Sequence, residues 1–188
     1  MEKNIFLIDW LTFTVKGSTV DQVKALIGMP SQLINWDVLG GCNGYPQSEF
    51  YNGIRIMYGA SDEMGICCNM SGTGCRSFET FGMGDWVKLF DIIVSLGDNI
   101  NITRLDLAFD DHTGVLDIDR ILQDTQCGYL TMKFRSTEPH LKFDGNGNRI
   151  GLNIDYGSHK SKIMIRFIID KTSAFPGCQV NNVLILAR

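Results

Sequence analysis

The chain of 188 residues is 44% hydrophobic and 20% charged, with a net charge of −4 and a mean hydropathy of +0.01; such values exclude a disordered or collagen-like chain. The length suits one domain with at most a small extension, and no apolar run reaches the roughly 18 residues of a membrane-spanning helix. The start, MEKNIFLIDW, meets Asp9 early and lacks a small-residue cleavage site, so the expectation is a cytoplasmic protein with no membrane partner.

Residues 5–15 (IFLIDWLTFTV) are rich in aromatic and β-branched types, and Leu11, Phe13 and Val15 alternate with Thr12 and Thr14. They predict a half-buried strand. Ser18 or Thr19 then caps a short helix with Val20, Val23, Leu26 and Ile27 on one face, ended by Gly28 and Pro30. Residues 38–49 (VLGGCNGYPQSE) are turn-rich and predict a loop. Strands are expected at 50–59 and 64–70, joined as a hairpin through Ala60–Glu63. SGTGCRSFET opens a helix carrying Arg76 and Glu79, and Trp86, Leu89, Phe90 and Ile93 mark another over 85–96. ITRLDLAFDD reads as a strand, and Asp117 as the cap of a helix through Leu122. Strand signals recur at 129–135, 150–156 and 162–169, with DGNGN (144–148) as a hairpin turn. Helices do not alternate regularly with strands. An α+β fold, an antiparallel central sheet with helices mainly on one face, is therefore expected over a doubly wound one.

Charge is unevenly placed. Residues 1–128 hold 8 Lys/Arg against 17 Asp/Glu, whereas residues 129–171 hold 8 against 4. A basic region within an acidic protein suits an anion-binding face, and a normally solvated surface accounts for the charge equally well. The six cysteines form no C-x-x-C pair, which argues against a zinc site or redox dithiol. They read as small buried apolar residues, with Cys67 and Cys68 on opposite faces of a strand.

Two clusters carry chemistry. In Thr103–Asp111 the alternation of a strand turns Arg104, Asp106 and Asp110 one way, and Leu105, Leu107 and Phe109 the other, toward helices. Carboxylates crowded on a strand need a neutralising partner, and hard oxygen ligands suit Mg²⁺ or Mn²⁺. An Arg104–Asp106 ion pair with Asp110 and Asp111 capping a turn explains the same residues without a ligand. The second cluster, Asn153–Lys162, sets Tyr156 at a strand end, then Gly157 and Ser158 in a turn, then Lys160 and Lys162. Backbone amides, hydroxyls and cations together form a phosphate-binding set. A plain polar hairpin turn is the alternative.

Taken in order, IDWLTFTVKG, CCNMSGTGCRSFET, ITRLDLAFDD and YGSHKSKIMIRF resemble the replication initiation factor family, which comprises rolling-circle initiators of plasmids and phages and related relaxases of conjugative elements. The likeness implies a nuclease-relaxase-like catalytic domain over 1–171 and a divergent tail over 172–188. It implies an endonuclease that nicks one strand of single-stranded or cruciform origin DNA through a tyrosine, leaving a 5′-phosphotyrosine link. By motif, Asp106 and Asp110 fall on the family's R-x-D-x-x-x-D strand as carboxylates for Mg²⁺ or Mn²⁺. Arg76, Arg104, Ser158, Lys160, Lys162 and Lys171 become DNA contacts, and Arg166 joins the catalytic group. A host helicase and a second copy of the chain are the further partners it implies. One departure stands out. The family's last strand reads R-F-Y-D-K, whereas this chain reads Arg166-Phe167-Ile168-Ile169-Asp170-Lys171 with one extra residue and no tyrosine. Tyr156 is the remaining candidate nucleophile nearby. The expectation is a truncated or altered copy with nicking absent or reduced, the alternative being a non-catalytic DNA-binding remnant. The apolar run Val183–Leu186 is expected to pack poorly.

Overall fold

A computed structural model of the chain describes residues 5–158, 160–170 and 180–187. The strands are β1 (Ile5–Val15), β2 (Asp37–Gly40), β3 (Gln47–Tyr51), β4 (Ile54–Tyr58), β5 (Ile66–Met70), β6 (Ile100–Asp111), β7 (Thr137–Phe143), β8 (Arg149–Tyr156), β9 (Ile163–Asp170) and β10 (Val180–Ala187). The helices are α1 (Val20–Leu26), α2 (Gly72–Phe81), α3 (Trp86–Ser95) and α4 (Ile118–Gln126). The fold is α+β with antiparallel sheet pairing. It forms two compact units, one of residues 8–105 and one of residues 1–7 with 106–188. The boundary between these units falls inside β1 and β6.

In the 8–105 unit the strand order is β2-β3-β4-β5-β1-β6. Leu11, Phe13, Ile54, Ile56, Cys68 and Met70 are fully buried with Val23 of α1, Cys75 and Phe78 of α2, and Leu89 of α3. The three helices therefore cover one face. Each has a side-chain cap: Thr19 with Gln22 in a capping box, Ser71 to Gly74, and Asp85 to Lys88. The stretch expected to be a loop contributes β2 and the start of β3. The span read as one strand from 50 to 59 is broken by Asn52 and Gly53, whose φ values of 39° and 88° make the β3–β4 hairpin turn. That turn lies against the start of α2: a Cβ on Gly53 would meet the Gly74 backbone at 2.4 Å, and one on Gly74 would meet Gly53 at 2.3 Å. The glycines of SGTGC thus permit close backbone packing. Below them Lys24, 2% exposed, donates to Glu49 (2.5 Å) and Ser31 (2.8 Å).

In the other unit the order is β6-β10-β9-β8-β7. Ile118 of α4 packs on Leu152, Ile154, Tyr156, Phe167 and Ile169. The expected strand at 129–135 is not formed; β7 begins at Thr137. Met132 and Phe134 instead pack against the α4 core as irregular chain. The tail expectation is corrected too. Val183–Leu186 belongs to β10, which pairs with β9 from Val180 to Ala187, and Leu186 is 4% exposed. An apolar run fits a strand with neighbours on both sides. The span 171–179, with Lys171 and Cys178, lies outside the described residues, as does His159.

Candidate nucleic-acid interface

Strand β6 carries the carboxylates. Asp111 is fully buried and accepts from the N–H groups of Leu116 (2.7 Å) and Thr113 (3.1 Å) and from the Thr113 hydroxyl (3.1 Å). Burial pushes its carboxyl up, but the backbone donors of Leu116, Val115 and Thr113 outweigh this and hold it below the usual range. Leu116 belongs to the α4 core, so Asp111 faces α4, and alternation turns Asp106, Ala108 and Asp110 to the opposite face. Asp106 is 1% and Ala108 8% exposed, while Leu107 is 41% exposed. Leu107 was expected to be buried by helices; α4 lies over β8 and β9, and no β6 residue joins its core.

The shared-cation expectation for Asp106 and Asp110 meets a geometric limit. Four residues of extended strand separate their Cα atoms by about 13 Å. A carboxylate reaches about 3.5 Å from its Cα on ordinary bond lengths, leaving over ~6 Å between the two. Oxygens on one Mg²⁺ lie within about 4.2 Å of each other. Both cannot ligate one ion. Among the described residues no three His, Cys, Asp or Glu side chains gather closely enough to hold a metal. Either carboxylate alone suits a hard cation whose other positions go to water and phosphate.

On the same face, Asp155 of β8 lies opposite Arg166 of β9. Their bond is bidentate, at 2.6 and 2.7 Å, and Asp155 is 5% exposed. The Asp155 carboxylate holds the Arg166 guanidinium above its ordinary value, and His140 Nε2 lies 3.8 Å from the same group. Ile168 shares the face of Arg166 and lines a cavity of about 240 Å³ with His140 and Asn153. Ile169 points into the α4 core at 2% exposure.

Tyr156 is a core side chain. It is 1% exposed, packs on Phe167 and Phe134, and shares a short hydrogen bond with Thr125 of α4. Of the five tyrosines, Tyr129 is the one with a widely exposed ring, at 83%. The β8–β9 turn is polar as expected: Ser158 and Ser161 bond each other, and Ser158, Lys160 and Lys162 are exposed. Lys133, Arg135, Lys142, Lys160 and Lys162 are exposed and make no ion pair among the described residues, whereas Arg149 is held by Asp119. Arg76 is committed within the fold, donating to the Ile8 carbonyl (2.7 Å) and pairing with Glu79 (3.0 Å). Arg104 lies over the Trp10 ring at 3.9 Å. Sequence reasoning missed Lys24 and Asp155; a buried charge leaves no periodic signature.

Cys67, Cys68 and Cys75 are buried, with Cys68 in the helix-side core and Cys67 in a separate cluster on the opposite face. Burial pushes the Cys67 thiol up to about 11 and Cys75 to about 12. Cys127 is exposed and Cys42 half-buried, contrary to the buried expectation. Cys127 caps the C-terminus of α4 beyond its apolar stripe.

Residues 5–94 match the family described as Rolling Circle replication initiation protein N-terminal domain, and residues 100–171 match Replication initiation factor. The chain is 29% identical over 168 residues to NicK of Bacillus subtilis (strain 168), which carries the name of a DNA relaxase; the match covers 87% of this chain and 47% of the relative, so the chain spans about half its length. A rolling circle replication initiator protein from Geobacillus stearothermophilus superposes with a TM-score of 0.87 and 25% identity, covering 99% of this chain and 75% of that one. No helix among the described residues is long and apolar enough to cross a membrane. With both family regions matched in order and the antiparallel fold in common, this chain belongs to the replication initiation factor family.

Proposed function

We propose that this chain engages single-stranded or cruciform origin DNA in rolling-circle replication or relaxase-type processing, and that it does not form a phosphotyrosine link through Tyr156. The single observation that carries the second half is the placement of Tyr156. A nucleophile must stand in line with the scissile phosphate, and this hydroxyl is enclosed by α4, Phe134 and Phe167 at 1% exposure. The first half rests on the family and on the five exposed cations of residues 133–162. Mg²⁺ or Mn²⁺ on Asp106 or Asp110 would stabilise charge on phosphate oxygens.

The missing tyrosine of the R-F-Y-D-K pattern is assigned to position 168 rather than 169. Position 168 shares the face of Arg166, whereas position 169 lies in the α4 core at 2% exposure. The test is an origin oligonucleotide labelled on the 3′ side of the nick, incubated with Mn²⁺ and run on a denaturing gel. The wild type is expected to bind the strand and form no covalent band, and Ile168→Tyr to form one. A wild-type band abolished by Tyr156→Phe would overturn the reading; one abolished by Tyr129→Phe would move the nucleophile to the exposed ring.

A further inference from the structure

The face of the 8–105 sheet turned away from its helices carries a row of side chains unrelated to the carboxylate strand. Phe50 pairs with Arg55 across β3–β4, Arg55 with Asn69 across β4–β5, and Asn69 with Thr12 across β5–β1. Strand neighbours lie about 4.8 Å apart, so the four form one transverse line. Trp10, two residues along β1, is fixed to its end: its indole N–H donates to Thr12 Oγ1 (3.0 Å), which donates to Asn69 Oδ1 (3.1 Å). Arg104 covers one face of the indole.

Trp10, Phe50, Arg55 and Asn69 line a cavity of about 670 Å³, within the range of small-ligand pockets. Its lining holds one charge, Arg55, and no carboxylate. That contrasts with the unit around it, where ten acids outnumber six cations. Arg55 donates to the Cys42 sulfur (3.1 Å), a weak acceptor, and makes no ion pair among the described residues. The Asn69 amide nitrogen has no acceptor among them either. A fixed indole, a guanidinium without a carboxylate and an unused amide donor are the elements that hold a nucleotide: ring for base, cation for phosphate, amide for base edge.

We infer that this cavity binds a nucleotide of single-stranded DNA, its base stacked on Trp10 and its phosphate on Arg55. The inference rests on the DNA-engaging reading above and adds a site in the unit that lacks Asp106 and Asp110. A neutral-to-positive aromatic floor accepts any base by its π-face, so binding here tolerates sequence changes. It grips the strand rather than reading it.

The test is fluorescence anisotropy of labelled oligo-dT against the full chain at several salt concentrations, with thermal melts confirming that each variant folds. Trp10→Leu is expected to weaken binding about fivefold to a hundredfold, the range for loss of one stacked base, and Trp10→Phe to retain most of it. Arg55→Gln is expected to lower the log–log salt slope by about 0.7, one single-strand phosphate contact. Folded Trp10→Leu and Arg55→Gln variants that bind like the wild type would overturn this site. The DNA-engaging reading would then survive on Lys160→Ala/Lys162→Ala sensitivity. A wild type that binds neither oligo-dT nor origin strand would overturn both.

Discussion

The two units use the same device, a sheet with helices on one side, and invest its two faces differently. In the 8–105 unit sixteen buried apolar residues sit beneath three helices, and the far face carries Trp10, Arg55 and Asn69. In the unit of residues 1–7 with 106–188 the cluster under α4 has six among the described residues, and the far face carries the Asp155–Arg166 pair, with Asp106 and Asp110. Burial of apolar area is the main stabilising term, so the first unit holds its shape by packing, whereas the second depends more on satisfied charges. The difference also separates two kinds of surface, an aromatic and amide one around Trp10 and Asn69 and a charged one around Asp155 and Arg166.

The largest effect should come from the packed unit. Phe13→Ala is expected to cost about 3–5 kcal/mol, read as a shift of the denaturant midpoint; a loss below 1 kcal/mol would break the contrast in packing. Arg166→Met leaves Asp155 buried without its bidentate partner and is expected to cost about 3 kcal/mol. Pairing it with Asp155→Leu should recover much of that loss; additive losses would show that the pair is not the unit's support.

Asp111→Ala strands the Leu116 and Thr113 donors and is expected to cost about 2 kcal/mol at neutral pH. Because the folded carboxyl is depressed, its stabilisation is complete above the unfolded value near 3.9 and is lost as pH falls through the lower folded value. The difference between wild type and variant should therefore shrink below about pH 4; a constant difference would mean that the hydrogen bonds do not depend on the charge. Smallest is Tyr156→Phe, which removes the Thr125 hydrogen bond at about 1 kcal/mol. A far larger loss would give that hydroxyl a structural weight beyond one bond.

Local pattern went far in this protein. Alternation of Leu11, Phe13 and Val15 marked β1 and its buried face, Asp117 marked a helix start that the structure caps with that side chain, and of Ser18 and Thr19 it is Thr19 that caps α1. The four ordered motifs were sufficient to indicate the family. Asn52-Gly53 was a legible turn signal, hidden by strand-forming residues on both sides. Short-range chemistry of this kind acts between residues a few positions apart, so it is written in sequence.

The tertiary structure decided what depends on distant neighbours. Val183–Leu186 is apolar in any context; only the gap between β9 and β6 makes it a strand with neighbours on both sides. Position 168 or 169 is undecided by spacing, because an inserted residue turns every following side chain of a strand to the other face. The register of β8 with β9 separates the two positions, with Ile168 on the face of Arg166 and Ile169 under α4. Tyr156 reads as a hydroxyl at a strand end beside a basic turn, and becomes core because α4 lies over it. The sequence by itself determines which residues prefer strand, helix or turn and which chemistry is available; the fold decides which face each side chain takes and what covers it, since burial and partnership are set by elements far along the chain.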